Sequence, residues 1–207
     1  MQNQATAKRD YFLISFIGIS FALFSIPIIK NVQQNIQIDF LIISYLILFF
    51  LALSNLGFWI ASLLAKKIPV ILQVAKFAAV GAFNTFLDWG VVNLLIALTG
   101  IAAGIFFSVF AGIGFIVANV GSFFWNKYWT FTSSEDGKPK QGNITQFFIV
   151  SIIGFGVKVG AASLIVNGIG AAGNFTEEQW ANIGNVTGTI FSMIWNFIGY
   201  KFWVFKK

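Results

Sequence analysis

The chain has 207 residues, 57% of them hydrophobic and only 10% charged, where a water-soluble domain carries about a quarter charged residues. It contains no His and no Cys, which excludes disulfides, thiolate nucleophiles, the usual zinc and haem ligand sets and any triad built on an imidazole base. Its net charge of +6 comes from 13 Lys and Arg against 7 Asp and Glu; the basic residues stand at the ends of apolar runs, so a membrane explains the composition and no nucleic acid partner is expected.

A helix that crosses the hydrocarbon core needs about 20 largely apolar residues at about 1.5 Å each. Residues 11–29 meet this first, directly after Lys8-Arg9. The run is too long for a signal peptide and no small-x-small cleavage site follows it, so it reads as a retained anchor. Residues 40–65 form the second span. Both carry few interior polar groups (Ser15, Ser20 and Ser25; Ser44, Tyr45, Ser54 and Asn55) and are expected to face lipid, with packing or docking a partner as their role instead of lining a path. Spans at 77–99, 103–125, 147–169 and 182–202 complete an all-α, polytopic bundle of six transmembrane helices. Its joints hold breakers and charges, among them Lys66-Lys67-Ile68-Pro69 and Thr99-Gly100.

Threading six spans puts Lys8, Arg9, Lys66, Lys67, Lys76, Lys127, Lys138, Lys140, Lys201, Lys206 and Lys207 on one side and Lys30 alone on the other. The positive-inside rule then places both termini in the cytoplasm of a multi-pass cell-membrane protein. Trp129 and Trp203 are expected at the inner rim and Trp180 at the outer one.

After residue 75 the chain repeats itself. Lys127-Tyr128-Trp129-Thr130-Phe131 closes the fourth span and Lys201-Phe202-Trp203-Val204-Phe205 the sixth; Lys76-Phe77-Ala78-Ala79-Val80-Gly81 opens the third and Gln146-Phe147-Phe148-Ile149-Val150-Ser151 the fifth. Each half runs inward-to-outward and back, so the duplication of two-helix units is parallel, about an axis along the membrane normal. Aligning Phe77 with Phe147 brings Asp88 and Lys158 to equivalent positions. Both lie midway along their spans, and an intramembrane ion pair across the pseudo-two-fold axis is expected.

Phe77-x-x-Val80-Gly81-x-x-Asn84-Thr85-x-x-Asp88, Asn126-Lys127-Tyr128-Trp129-Thr130-Phe131 and Asn196-Phe197-x-x-x-Lys201-Phe202-Trp203-Val204-Phe205 resemble the GtrA-like family. The resemblance covers a region from Lys76 to Phe205, making 76–207 a four-helix GtrA-like domain and 1–75 two accessory helices. It implies a non-enzymatic role: moving a polyprenyl-phosphate-linked sugar across the cytoplasmic membrane for cell-surface polysaccharide synthesis, beside membrane lipid and in some relatives a glycosyltransferase. The chain departs from the family in carrying Lys127 and Lys201 where Arg is usual, and Lys is a point charge without the planar fork of Arg.

Polar stripes at helical spacing support a path for such a substrate. Gly81, Asn84, Thr85 and Asp88 share a face of the third span; Ser108, Asn119, Ser122 and Asn126 align on the fourth; Ser151, Gly154, Lys158 and Ala161 on the fifth; Asn182, Asn185, Thr189, Ser192 and Asn196 on the sixth. The substrate-binding candidates are Asn84, Thr85, Asp88, Asn119, Ser122, Asn126, Lys127, Lys158, Thr189, Asn196 and Lys201, the amides and hydroxyls for sugar and the lysines for phosphate. Ser, Thr and Asn also glue membrane helices together, as do Gly156-x-x-x-Gly160 and Gly184-x-x-x-Gly188. No metal or cofactor is expected, and no Gly-x-x-x-x-Gly-Lys-Ser/Thr loop occurs, so a driving force must come from a lipid or ion gradient. A homo-oligomer is expected. Two other readings stand beside translocation: a membrane scaffold that recruits a glycosyltransferase, and a cation exporter using Asp88.

Overall fold

The computed structural model describes residues 8–33, 35–130 and 144–199. The described residues form helices α1 (Lys8–Val32), α2 (Phe40–Ala65), α3 (Val70–Thr99), α4 (Gly104–Trp125), α5 (Ile144–Ser163) and α6 (Glu177–Gly199), and no strand. A π-helical turn, Asn126–Thr130, continues α4, and another, Leu164–Ile169, continues α5.

The ends of the helices follow local chemistry. Asp39 caps α2, its carboxylate accepting from the Ile42 amide at 2.9 Å. Gly100 closes α3 at φ 70°, a left-handed conformation that glycine adopts without strain, and its N–H donates to the Ile96 carbonyl. Thr176 and Gln179 cap α6 reciprocally: each side-chain oxygen accepts from the other's backbone N–H, at 3.3 and 3.1 Å.

Among the described residues, five of the helices are long and apolar enough to cross a membrane. The sixth, α6, is described as far as Gly199, short of the expected end of its span at residue 202. Its dense polar face lowers its hydropathy, and that face is more one-sided than in any other helix. It packs along α5, covering that side. Helices α3 to α6 form a bundle in which α3 pairs closely with α4 and α5 with α6, the grouping expected of two duplicated hairpins. Val92, Ile96, Phe107, Phe110, Ala162, Val166 and Ala181 form its apolar core.

Helix α1 is a correction to the expectation that the first two spans face lipid. It lies against α3 and touches α6, and a third of its most apolar stretch is buried. Ile14 and Ile17 join Leu72, Val80, Phe83 and Trp129 in a second core. Helix α2 does face outward, with only Phe58 and Ala65 buried. The two differ at their ends. Helix α1 runs three residues further each way than 11–29, and the additions include Asp10 and Asn31, both buried and bonded across to the bundle. Polarity that marks a joint in the sequence marks a contact here.

Candidate functional site

Asp88 and Lys158 meet in the middle of the bundle, 4% and 1% exposed. Each stands eleven residues before its helical segment ends, at Thr99 and Ile169 respectively, so the two hairpins deliver them to one depth. The Lys158 ammonium donates to both carboxylate oxygens, Oδ2 at 2.6 Å, and to the Ala111 carbonyl at 3.3 Å. Its three protons thus have three acceptors, the condition under which a pair in low dielectric is tolerable. Glycines let the neighbouring helices close on the pair. A Cβ at Gly114 of α4 would sit 2.8 Å from the Asp88 carbonyl oxygen, and one at Gly188 of α6 would sit 2.5 Å from that of Lys158.

Thr189 extends the site. Its hydroxyl accepts from the Trp89 indole at 3.0 Å, and its single proton faces the Asn185 carbonyl at 2.9 Å and Asp88 Oδ2 at 3.5 Å. The shorter contact takes the proton. One turn before it, the Asn185 side chain is 1% exposed, and neither its oxygen nor its nitrogen has a hydrogen-bond partner. An orphaned amide of this kind costs about 1–3 kcal/mol.

Towards the end where α3 finishes, three asparagines join three helices. Asn31 donates to Asn93 Oδ1 and to its carbonyl, both at 2.9 Å, while Asn93 and Asn182 exchange side-chain bonds at 2.8 Å. Gln179 donates to the Val32 carbonyl at 2.8 Å beside them. The sequence reading missed Asn31, Asn93 and Gln179 as a group. Asn93 was the available signal, a lone amide inside an apolar run.

The remaining candidates converge only in part. Asn84 points at α4 near Gly121, with its Oδ1 buried and unpaired, and Asn196 points at α5 against Gly154 in the same condition. Thr85 bonds back to the Gly81 carbonyl at 3.1 Å, and Gly81 opens on empty space. The α3 stripe therefore splits: Asn84 and Asp88 face inward, whereas Thr85, about 60° from Asp88 and about 100° from Asn84 at 3.6 residues per turn, and the exposed Gly81 do not. Asn119 donates to the Phe115 carbonyl and, with Ser151, supplies the polar part of a cleft of about 390 Å³ between α4 and α5, otherwise lined by Phe115, Ile116, Phe148 and Phe155. Ser122 is half-buried and partnered. Asn126 and Lys127 open the π-helical turn that follows α4. Lys201 lies outside the described residues. Ser108 holds Ser163 at 2.6 Å next to Asn167, which clamps Gly104, so it fastens α4 to α5. Gly184 packs tightly on α5 as expected of its motif, but Gly156 and Gly160 meet nothing within 4 Å.

At the opposite end, where α1 and α3 begin, Asp10 pairs with Lys76 at 2.8 Å and accepts from the Trp129 indole at 2.8 Å. Trp129, expected as an interfacial anchor, is 5% exposed. Arg9 reaches the neighbouring Tyr128 carbonyl at 3.4 Å.

No solved structure matches the chain. Over 134 residues, 64% of its length, it is 31% identical to the "Uncharacterized membrane protein YngA" of Bacillus subtilis (strain 168), of which the match covers 78%. The family profile described as "GtrA/DPMS, transmembrane domain" matches residues 76–205. That stretch takes in the helices α3 to α6 that surround Asp88 and Lys158, and the chain belongs to the GtrA/DPMS transmembrane-domain family.

Proposed function

We propose that the bundle carries a polyprenyl-phosphate-linked sugar across the cell membrane for surface polysaccharide synthesis, making and breaking no covalent bond. The observation that carries this reading is a set of buried polar atoms without a partner, both amide atoms of Asn185 and the Oδ1 atoms of Asn84 and Asn196, distributed along the interior on both sides of the Asp88–Lys158 pair. In a membrane an unpaired amide has no water at the surface to turn to, so it is retained at a cost and is ready to bond a polar guest. Sugar hydroxyls, which both donate and accept, suit such groups. The apolar cleft between α4 and α5 offers room for a prenyl tail, with Asn119 and Ser151 where head and tail would meet.

In this reading the end bearing Lys8, Arg9, Lys66, Lys67 and Lys76 is cytoplasmic, and Lys127 and Lys201 meet the lipid phosphate there. Residues 76–207 form the translocating domain and α1 and α2 an accessory pair, with homo-oligomers and a glycosyltransferase as partners. Lys158 is fully engaged by Asp88 and Ala111, so it binds a phosphate only if that pair opens. The same engagement weighs against cation export, because both Asp88 oxygens are taken.

Purified protein in proteoliposomes should move a labelled glycosyl-polyprenyl phosphate between leaflets with no enzyme present. The scaffold reading, favoured by the outward-facing length of α2, predicts no movement there and a change in glycosyltransferase activity when α2 is altered in cells. Absence of lipid movement together with that change would replace the first reading by the second.

A further inference from the structure

Two groups that belong to the family region, the Lys76 ammonium and the Trp129 indole N–H, point at one oxygen, Asp10 Oδ1, both at 2.8 Å. The Lys76 nitrogen also lies 5.7 Å from the centre of the Trp129 ring, a cation–π distance that fixes the two donors relative to each other. The oxygen they share comes from outside the family region, on the third residue of α1. Lys76, Asp10 and Trp129 are all at least nine-tenths buried. A cation and a neutral N–H converging on a single anionic oxygen form a small oxyanion receptor, and a phosphate oxygen has the charge and size of the carboxylate oxygen it now holds.

We infer that Lys76 and Trp129 form a binding site for a phosphate ester, and that Asp10 occupies it as a built-in competitor. Among the described residues Asp10 is the only carboxylate at this end of the molecule: Asp39, Glu177 and Glu178 lie at the far end and Asp88 in the middle. Asp10 sits on the first turn of α1, so opening that one turn vacates the receptor without disturbing the ties at Asn31. The site is separate from the interior amides, and capture of a phosphate at the rim does not depend on whether the bundle translocates anything.

The test is binding to the full chain in phosphatidylcholine nanodiscs, read with a fluorophore-tailed phosphatidic acid as probe. Asp10→Asn removes the competing charge and leaves an oxygen to accept from Trp129, and it should bind the probe about tenfold more tightly than the unaltered protein. Adding Lys76→Gln should abolish that gain. Millimolar inorganic phosphate that displaces the probe assigns the receptor to free phosphate, and failure to displace it assigns the receptor to a lipid headgroup; both support an oxyanion site. Equal binding by Asp10→Asn and the unaltered protein, or a gain that survives Lys76→Gln, overturns it. Should Asp10→Asn not fold, Asp10→Ser, whose hydroxyl also accepts from Trp129, is read in the same assay. Loss of folding in both variants makes Asp10 a structural tie and overturns the inference.

Discussion

Lys158 and Lys76 each meet an aspartate, at 1% and 9% residual exposure, but in different company. In the bundle centre the ammonium has a carbonyl as third acceptor and glycines at Gly114 and Gly188 that bring two further helices onto the pair. At the rim the third party is an indole, which donates to the same carboxylate oxygen as the lysine. The central arrangement saturates the cation; the rim arrangement gathers donors around an anion. Equal residue types thus produce one pair that resists exchange and one that invites it, and the deciding variable is which partner the surroundings complete.

The largest effect should come from breaking the central pair. Lys158→Ala leaves a carboxylate unpaired in the bundle and should cost about 3–5 kcal/mol, seen as loss of a folded monodisperse species in detergent. The double variant Asp88→Asn with Lys158→Met should recover most of the yield. Equal damage from the single and the double change would show that pairing is not what the site contributes.

The rim pair should matter less. Asp10→Ala removes an acceptor from Lys76 and from Trp129, worth about 1–3 kcal/mol, and should lower the thermal midpoint of the solubilised protein while leaving it folded. A loss as large as that of Lys158→Ala would erase the distinction between the two pairs. Asn93→Ala unties α1, α3 and α6 at the far end, and hydrogen bonds between membrane helices average about 0.6 kcal/mol with a maximum near 1.7. It should fall below Asp10→Ala in the same melting experiment. Asn55→Ala, which removes the 3.1 Å bond from α2 to Ser15 of α1, should fall near or below the 0.6 kcal/mol average, since α2 is held chiefly by apolar contact on one side.

The central pair is legible in the sequence because a charge in an apolar run is conspicuous, and aligned repeats say which two charges share a depth. Hydropathy located the helices for the same reason. It did not reveal that α1 is built into the bundle, because Asp10 and Asn31 lie just beyond the apolar stretch and look like joint residues until their partners Trp129 and Asn93 are seen. Periodicity groups residues by angle within one helix but says nothing of which way the group points. Gly81 and Thr85 therefore looked equivalent to Asn84 and Asp88, though only the latter two turn inward. Ser108 is a like case, since its partners Ser163 and Asn167 come from the segment of the neighbouring α5 and are not given by periodicity within α4.

Because Asp88 and Lys158 occupy matching places in the two hairpins, the pairing depends on the hairpins being joined in a single polypeptide. Two identical copies related by a two-fold axis would bring the same residue to both places, setting acid against acid or base against base. Fusion into one chain frees each place to take its own side chain, and complementarity becomes possible where self-association alone could produce only repulsion.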